Sequence, residues 1–167
     1  MTPLGAHVRP VDLPGDLPAV RALFTAYIDS LRQDFGLDLG FQNVEAELAA
    51  LPGAYAPPQG ALLLAELDGS VVGLAAMRPL PCGSAEMKRM YLRPAARGRG
   101  VGRALAEAIV AAARAGGYRR IRLDTQRDFG AAVALYRSLG FAETARYNDN
   151  PLPRAMFMAL DLTPDAA

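Results

Sequence analysis

Arg97-Gly98-Arg99-Gly100-Val101-Gly102-Arg103 is the segment of this chain whose residue types and spacing best suit chemistry. Its glycines strip side chains from one short stretch, so backbone N–H groups can approach a ligand closely. A helical pattern follows at once, with Val101, Leu105, Ala108, Ile109 and Ala112 on one face. The first N–H groups of a helix have no internal partner, and its dipole favours negative charge there. Such a place binds phosphate. Arg97, Arg99 and Arg103 add cations and paired donors. A P-loop is excluded, because Gly102 is followed by Arg103 and Ala104 where Lys and Ser/Thr are required. The Rossmann fingerprint fails as well. It needs a glycine where Arg103 stands, and the segment lies mid-chain, after a hairpin signal. Two readings remain: a cradle for a pyrophosphate arm like that of coenzyme A, or a glycine-rich turn with solvated arginines.

Other reactive side chains are sparse. His7 is the only histidine, so a Ser-His-Asp triad or a histidine metal site would have to use it. Cys82 is the only cysteine and lies between Pro81 and Gly83, where a turn with an incidental thiol is expected. No internal disulfide can form, and a reducing, cytoplasmic location is the simplest reading.

The elements that must position the loop are legible from periodicity. His7 to Pro10 reads as a short strand. Asp16 is placed as the N-cap of a helix carrying Leu17, Val20, Leu23, Phe24, Tyr27, Ile28 and Leu31 at helical spacing, with Gly36 just past it. A second helix is expected from the cap Asn43 to Leu51, where Pro52 stops it. Ala61 to Leu67 and Val71 to Met77 are strands joined by the hairpin turn Asp68-Gly69-Ser70. Glu86 to Leu92 is a third, after a turn at residues 79–83. The alanine-rich helix ends at Gly116-Gly117. Arg120 to Thr125 reads as a strand. A helix through Ala132, Leu135, Tyr136 and Leu139 closes at Gly140, and Phe141 to Arg146 and Ala155 to Leu160 are the last strands. The strand-helix-strand unit from Glu86 to Thr125 implies a parallel pair with a right-handed crossover. A mixed sheet flanked by helices follows.

The chain has 167 residues, of which 51% are hydrophobic and 21% charged, enough for one core. A single domain over 1–167 is expected. A net charge of +1 gives no global field for nucleic acid or an anionic membrane, so neither is expected as a partner. No stretch approaches the roughly 18 apolar residues of a membrane span. Met1-Thr2-Pro3-Leu4-Gly5 lacks the basic and apolar regions of a secretory leader.

Two segments carry a resemblance to a known family. Glu86-Met87-Lys88-Arg89-Met90-Tyr91-Leu92-Arg93-Pro94, followed by residues 97–102, is similar to motif A of the GNAT superfamily of N-acetyltransferases. That motif reads Arg/Gln-x-x-Gly-x-Gly/Ala after a strand, and Arg97, Gly100 and Gly102 fill it. Ala134-Leu135-Tyr136-Arg137-Ser138-Leu139-Gly140-Phe141 resembles motif B at the usual distance. The likeness spans about residues 61–147; the N-terminal third matches only in helical layout.

The resemblance implies an α/β fold with a mixed, mostly antiparallel sheet, splayed between two parallel strands and flanked by about four helices. It implies acetyl-CoA as cosubstrate, no metal, and direct attack by an amine of a small molecule or peptide, in a monomer or homodimer. By similarity, the backbone of Met90, Tyr91 and Leu92 pairs with the pantetheine amides. Arg97, Gly98, Arg99, Gly100, Val101, Gly102 and Arg103 hold the pyrophosphate. Tyr136, near the coenzyme sulfur, is the implied acid, since a phenol with pKa near ~10 is protonated at neutral pH. Glu86 is the implied base. Regular alternation would set Glu86, Lys88, Met90 and Leu92 on one face. Lys88 and Arg89 carry no assigned role. Asn148-Asp149-Asn150 either borders the acceptor or is turn chemistry. One departure is Phe129, where many relatives have an asparagine; Asp128 beside it is expected to cap the helix. Two other classes stand beside the enzyme: a catalytically silent coenzyme-A sensor and a nucleotide-binding structural domain.

Overall fold

The computed structural model describes residues 5–38 and 43–162. Met1 to Leu4, which bear on the question of a leader, lie outside the described residues. The elements are β1 (Ala6–Pro10), α1 (Leu17–Phe35), α2 (Val44–Ala49), β2 (Ala61–Leu67), β3 (Ser70–Leu80) and β4 (Ser84–Leu92). They continue as α3 (Val101–Ala115), β5 (Arg120–Gln126), α4 (Gly130–Ser138), β6 (Ala142–Thr144) and β7 (Ala155–Asp161). Seven strands form one sheet in the order β1-β2-β3-β4-β5-β7-β6. Among the described strands only the β4–β5 pair is parallel. The expected mixed, mostly antiparallel sheet and its element order are both present.

Both sheet faces are covered, and strand alternation decides which residues go where. In β2, Ala61, Leu63, Ala65 and Leu67 face α3, whose Val101, Leu105, Ile109 and Ala113 are buried against them with Val133 and Tyr136 of α4. Leu62 and Leu64 face the other way, onto Val20, Leu23 and Phe24 of α1 and Leu48 of α2. Gly36, at φ 64°, ends α1 in the left-handed conformation that glycine adopts without a steric cost. No helix among the described residues is long and apolar enough to cross a membrane.

Three expected caps behave differently. Asp16 occupies the N-cap of α1 but makes no side-chain bond to the helix. Its carboxylate accepts from Arg9 Nη1 (2.7 Å) and Nη2 (2.9 Å) and from the Asp12 N–H (2.7 Å). The bonds from Arg9 chiefly pull its carboxyl down to about 2. Asn43 precedes α2 with φ 49° and no cap bond. Asp128 does not cap α4 either; Phe129 holds that position, and Asp128 accepts Arg154 Nε at 2.8 Å. In both aspartates a charged guanidinium takes the place of the helix N–H groups a cap would bind.

A single irregularity in β4 shapes the middle of the sheet. Lys88 pairs with Ala76 and Tyr91 with Leu74, so Arg89 and Met90 together stand opposite Ala75 alone. That is a β-bulge. Arg89 sits at φ 60°, a conformation costing a side-chain-bearing residue of order 1–2 kcal/mol. The bulge overturns the expected alternation. Met87, Met90 and Leu92 face the α3 side, while Tyr91 packs on the α1 side. Glu86 and Lys88 approach each other, and the Arg89 guanidinium lies 5.8 Å from the Phe24 ring of α1.

Gly73 pairs with Leu92 at the end of this stretch and lies under α3. A Cβ there would meet Leu105 Cδ1 at 3.0 Å, the Tyr91 carbonyl at 3.1 Å and Leu92 Cδ1 at 3.2 Å. Gly73→Ala is therefore expected to lower stability by about 1–3 kcal/mol through overpacking. A thermal melt checks this, and an unshifted midpoint would mean that α3 packs less closely.

Candidate active site

β4 and β5 share three register pairs, Ser84 to Arg120, Ala85 to Ile121 and Glu86 to Arg122, and then diverge. Beyond that point β4 is held only by β3, and β5 only by β7. Two facing backbone edges are left unpaired with each other. A cleft of about 120 Å³ fills the gap. Its walls are residues 87–90 of β4 and 123–125 of β5, with Tyr27 from α1 and Phe129, Ala132 and Tyr136 from α4 and its start.

Tyr136 is 5% exposed and packs on Phe141 with ring centroids 5.8 Å apart. No group among the described residues hydrogen-bonds its hydroxyl. Burial, with Tyr27 and Asp124 close by, holds the phenol above its ordinary pKa and so keeps it protonated. Burial raises Tyr27 in the same way, though Arg89 opposes it. The Tyr27 ring lies 5.5 Å from that of Tyr91. The Tyr91 side chain is buried on the α1 side, and Tyr91 is not among the residues that line the cleft.

The glycine-rich loop stands at the far end of α4. Gly98 and Gly100 have φ 75° and 81°, and Gly100 is the N-cap of α3. The Ala104 N–H is the first to reach a helical carbonyl, that of Gly100 at 3.1 Å. The amides just before it have no acceptor within the helix. Arg97 Nε donates to the Leu92 carbonyl (3.1 Å), Arg99 reaches Asp68 (3.7 Å) and Arg103 donates to Ser138 Oγ (2.6 Å). Thus α4 lines the cleft with Ala132 and Tyr136 and meets the loop with Ser138.

Glu86 lines neither this cleft nor its neighbour. It is 0% exposed, and its two oxygens accept Arg78 Nε (2.7 Å) and the Tyr147 hydroxyl (2.6 Å). The sequence candidate for a base is thus a buried acceptor behind the cleft. A second cavity, of about 270 Å³, opens on Glu47, Arg78, Lys88, Arg89, Asp124, Asn148 and Asn150. Lys88, Arg89 and Asp124 line both spaces. Arg89 Nε donates to Glu47 at 2.8 Å, and Asp124 Oδ2 accepts from Asn148 (2.9 Å) and Asn150 (3.1 Å). Asn148 and Asn150 line this cavity, and their side chains also accept the Asn150 and Leu152 N–H groups (3.0 Å each), as turn residues do. Tyr27, Glu47 and Asp124 were missed by sequence reasoning, because each fits the pattern of its own helix or strand. Cys82 is exposed in the β3–β4 turn and His7 is exposed in β1, both apart from the site.

Comparison with known proteins agrees with this architecture. The profile of the acetyltransferase (GNAT) family matches residues 22–141. An uncharacterised N-acetyltransferase of Schizosaccharomyces pombe is 38% identical over 98% of this chain and 99% of its own. A GNAT-family acetyltransferase structure from Staphylococcus aureus superposes with TM-score 0.76 at 18% identity, covering 95% of this chain and 99% of that one. The Salmonella typhimurium protein yncA, solved with its cofactor acetyl-CoA, superposes with TM-score 0.69 at 23% identity, over 98% and 97% of the two chains.

Tyr147→Phe removes the proton given to the buried Glu86 carboxylate. It is expected to lower stability by about 1.5–3 kcal/mol, the range for hydrogen bonds to charged groups. Urea unfolding measures this, and an unchanged midpoint would detach Tyr147 from Glu86.

Proposed function

We propose, from the premise that this chain belongs to the acetyltransferase (GNAT) family, that it moves the acetyl group of acetyl-CoA to a primary amine by direct attack. The observation that carries this reading is the layout of α4. An open seam with a protonated tyrosine lies along it, and an amide-rich, arginine-flanked turn lies at its end. A pyrophosphate fits that turn, because glycine backbone and the start of α3 offer N–H donors without side chains in the way. The extended pantetheine fits the seam, where the Met90 and Leu92 backbone can pair with its amides as an added strand does.

The bound thioester supplies an activated acetyl group. The protein places it, polarises it and moves protons. A backbone N–H near Met90 to Leu92 polarises the carbonyl. Asp124 lines both cavities and attracts the ammonium of the acceptor, whose proton it takes directly or through water. A nitrogen–carbon bond forms, the carbon–sulfur bond breaks, and Tyr136 gives its proton to the departing thiolate. Glu86, the base implied by resemblance, acts from behind by holding Arg78 and Tyr147.

Gly100→Asp sets a carboxylate beside the proposed pyrophosphate, and Gly100→Asn makes the same backbone demand without the charge. The Asp variant is expected to bind coenzyme A at least tenfold more weakly than the Asn variant, about 1.4 kcal/mol. Equal affinities by calorimetry would remove the pyrophosphate from this turn. Tyr136→Phe keeps the packing and removes the proton. Turnover is expected to fall about 10²-fold with coenzyme A affinity unchanged; wild-type turnover would return Tyr136 to the core.

A further inference from the structure

We infer that the acceptor is a small zwitterion carrying a carboxylate close to its amine, as an α-amino acid does, and that Lys88 is the residue that selects it. This rests on the reading of the seam as the thioester site. The polar cavity itself points to such an occupant. All seven of its lining side chains are charged or amides, so an apolar amine would meet a mainly polar wall there. Its volume of about 270 Å³ lies below the roughly 300–1,000 Å³ of sites for drug-sized ligands.

The charges around it decide the kind of occupant. Arg78, Lys88 and Arg89 face Glu47, Asp124 and, from behind, Glu86. The lining itself carries three cations and two carboxylates, an excess of one positive charge that Glu86 offsets from behind through Arg78, so the cavity suits an occupant whose positive and negative charges are both present and separated. Most of these groups are already committed. Arg89 is paired with Glu47, and Arg78 with Glu86. Two are not fully used. Lys88 is 9% exposed in its side chain, and its ammonium lies 3.9 Å from Glu86, beyond hydrogen-bond reach of a carboxylate that already serves Arg78 and Tyr147. Asp124 receives both of its amide donors on Oδ2, leaving Oδ1 without a hydrogen bond among the described residues.

Lys88 is on β4 and Asp124 on β5, so these ions stand on opposite lips of the seam, and they form no ion pair among the described residues. An ammonium at Asp124 and a carboxylate at Lys88 complete both lips at once. The amine is then the end of the molecule that Asp124 holds at the seam. Burial draws the Lys88 ammonium below its ordinary pKa, with Glu86 pulling the other way. An arriving carboxylate offsets that burial penalty. A phosphate dianion would bring more charge than one ammonium balances.

The test uses the whole protein with acetyl-CoA and measures acetylation of free amino acids, their methyl esters, matched alkylamines and a short peptide. Free amino acids are expected to be preferred over their esters at least tenfold in kcat/KM. In Lys88→Met, kcat/KM for the preferred amino acid is expected to fall at least tenfold more than kcat/KM for its ester. Esters, alkylamines or the peptide reacting as well as the acids would overturn the inference, as would an equal loss on acid and ester. Calorimetry with coenzyme A separates the two levels. Binding without acetylation of any amino acid sinks the zwitterion alone, whereas failure to bind sinks the thioester site beneath it.

Discussion

The left-handed Arg89 is the constraint on which the rest of this structure depends. A residue with a Cβ does not adopt φ 60° for local reasons. It is held there because its guanidinium is drawn to Glu47 of α2 and lies by Phe24 of α1. The extra residue bends β4 and increases its local twist. β4 then cannot follow β5, and a gap opens where a regular parallel pair would have closed its own ladder. The bulge also re-aims side chains. Without it, Met90 would share a face with Glu86 and Lys88. With it, the methionine joins the core under α3 and the charged residues gather on the α1 side.

Those gathered charges form a network whose members support one another. Glu86 is the centre, with a guanidinium on one oxygen and a phenol on the other. A buried carboxylate is tolerable only when its lone pairs are satisfied in this way. Glu47 has the same role a layer nearer α2, accepting both Arg89 and the Tyr55 hydroxyl (2.5 Å). Each anion is thus attached to a cation on the neighbouring β3 or β4 segment. The result is a rigid polar floor beneath the seam. The groups that reach the open spaces do so because the floor leaves them underused.

Much of this architecture was legible in the order of the residues. Helices and strands followed the hydrophobic period, and Gly36 and Gly116 marked the ends of α1 and α3 as glycine should. The glycine-rich turn and Tyr136 could be singled out because their signals are local. What was hidden depends on partners far along the chain. Nothing about an arginine predicts a positive φ, so the bulge at Arg89 and the changed register of β4 could not be read. Asp16 and Asp128 looked like caps, but Arg9 and Arg154 took them. Glu86 looked like a base because its position in the strand was visible and its partners Arg78 and Tyr147 were not. Asp124 and Tyr27 fit their strand and helix patterns so well that nothing marked them as lining a cleft.

The divergence of β4 from β5 has a mechanical consequence. β1 to β4 form one half-sheet and β5, β7 and β6 the other; β5 and β7 share seven pairs, while β6 and β7 share three. Among the described residues, the backbone links between the halves are the three pairs near Ser84 and Arg120 and the Arg119 N–H donated to the Gly83 carbonyl, with the Tyr147 hydroxyl on Glu86 as a side-chain tie. Torsion of one half against the other therefore concentrates at a short hinge at one end of the seam. The far end can breathe while every other ladder stays intact. Hydrogen exchange in this molecule should accordingly be fastest not at its outer strands alone but along a line through its middle.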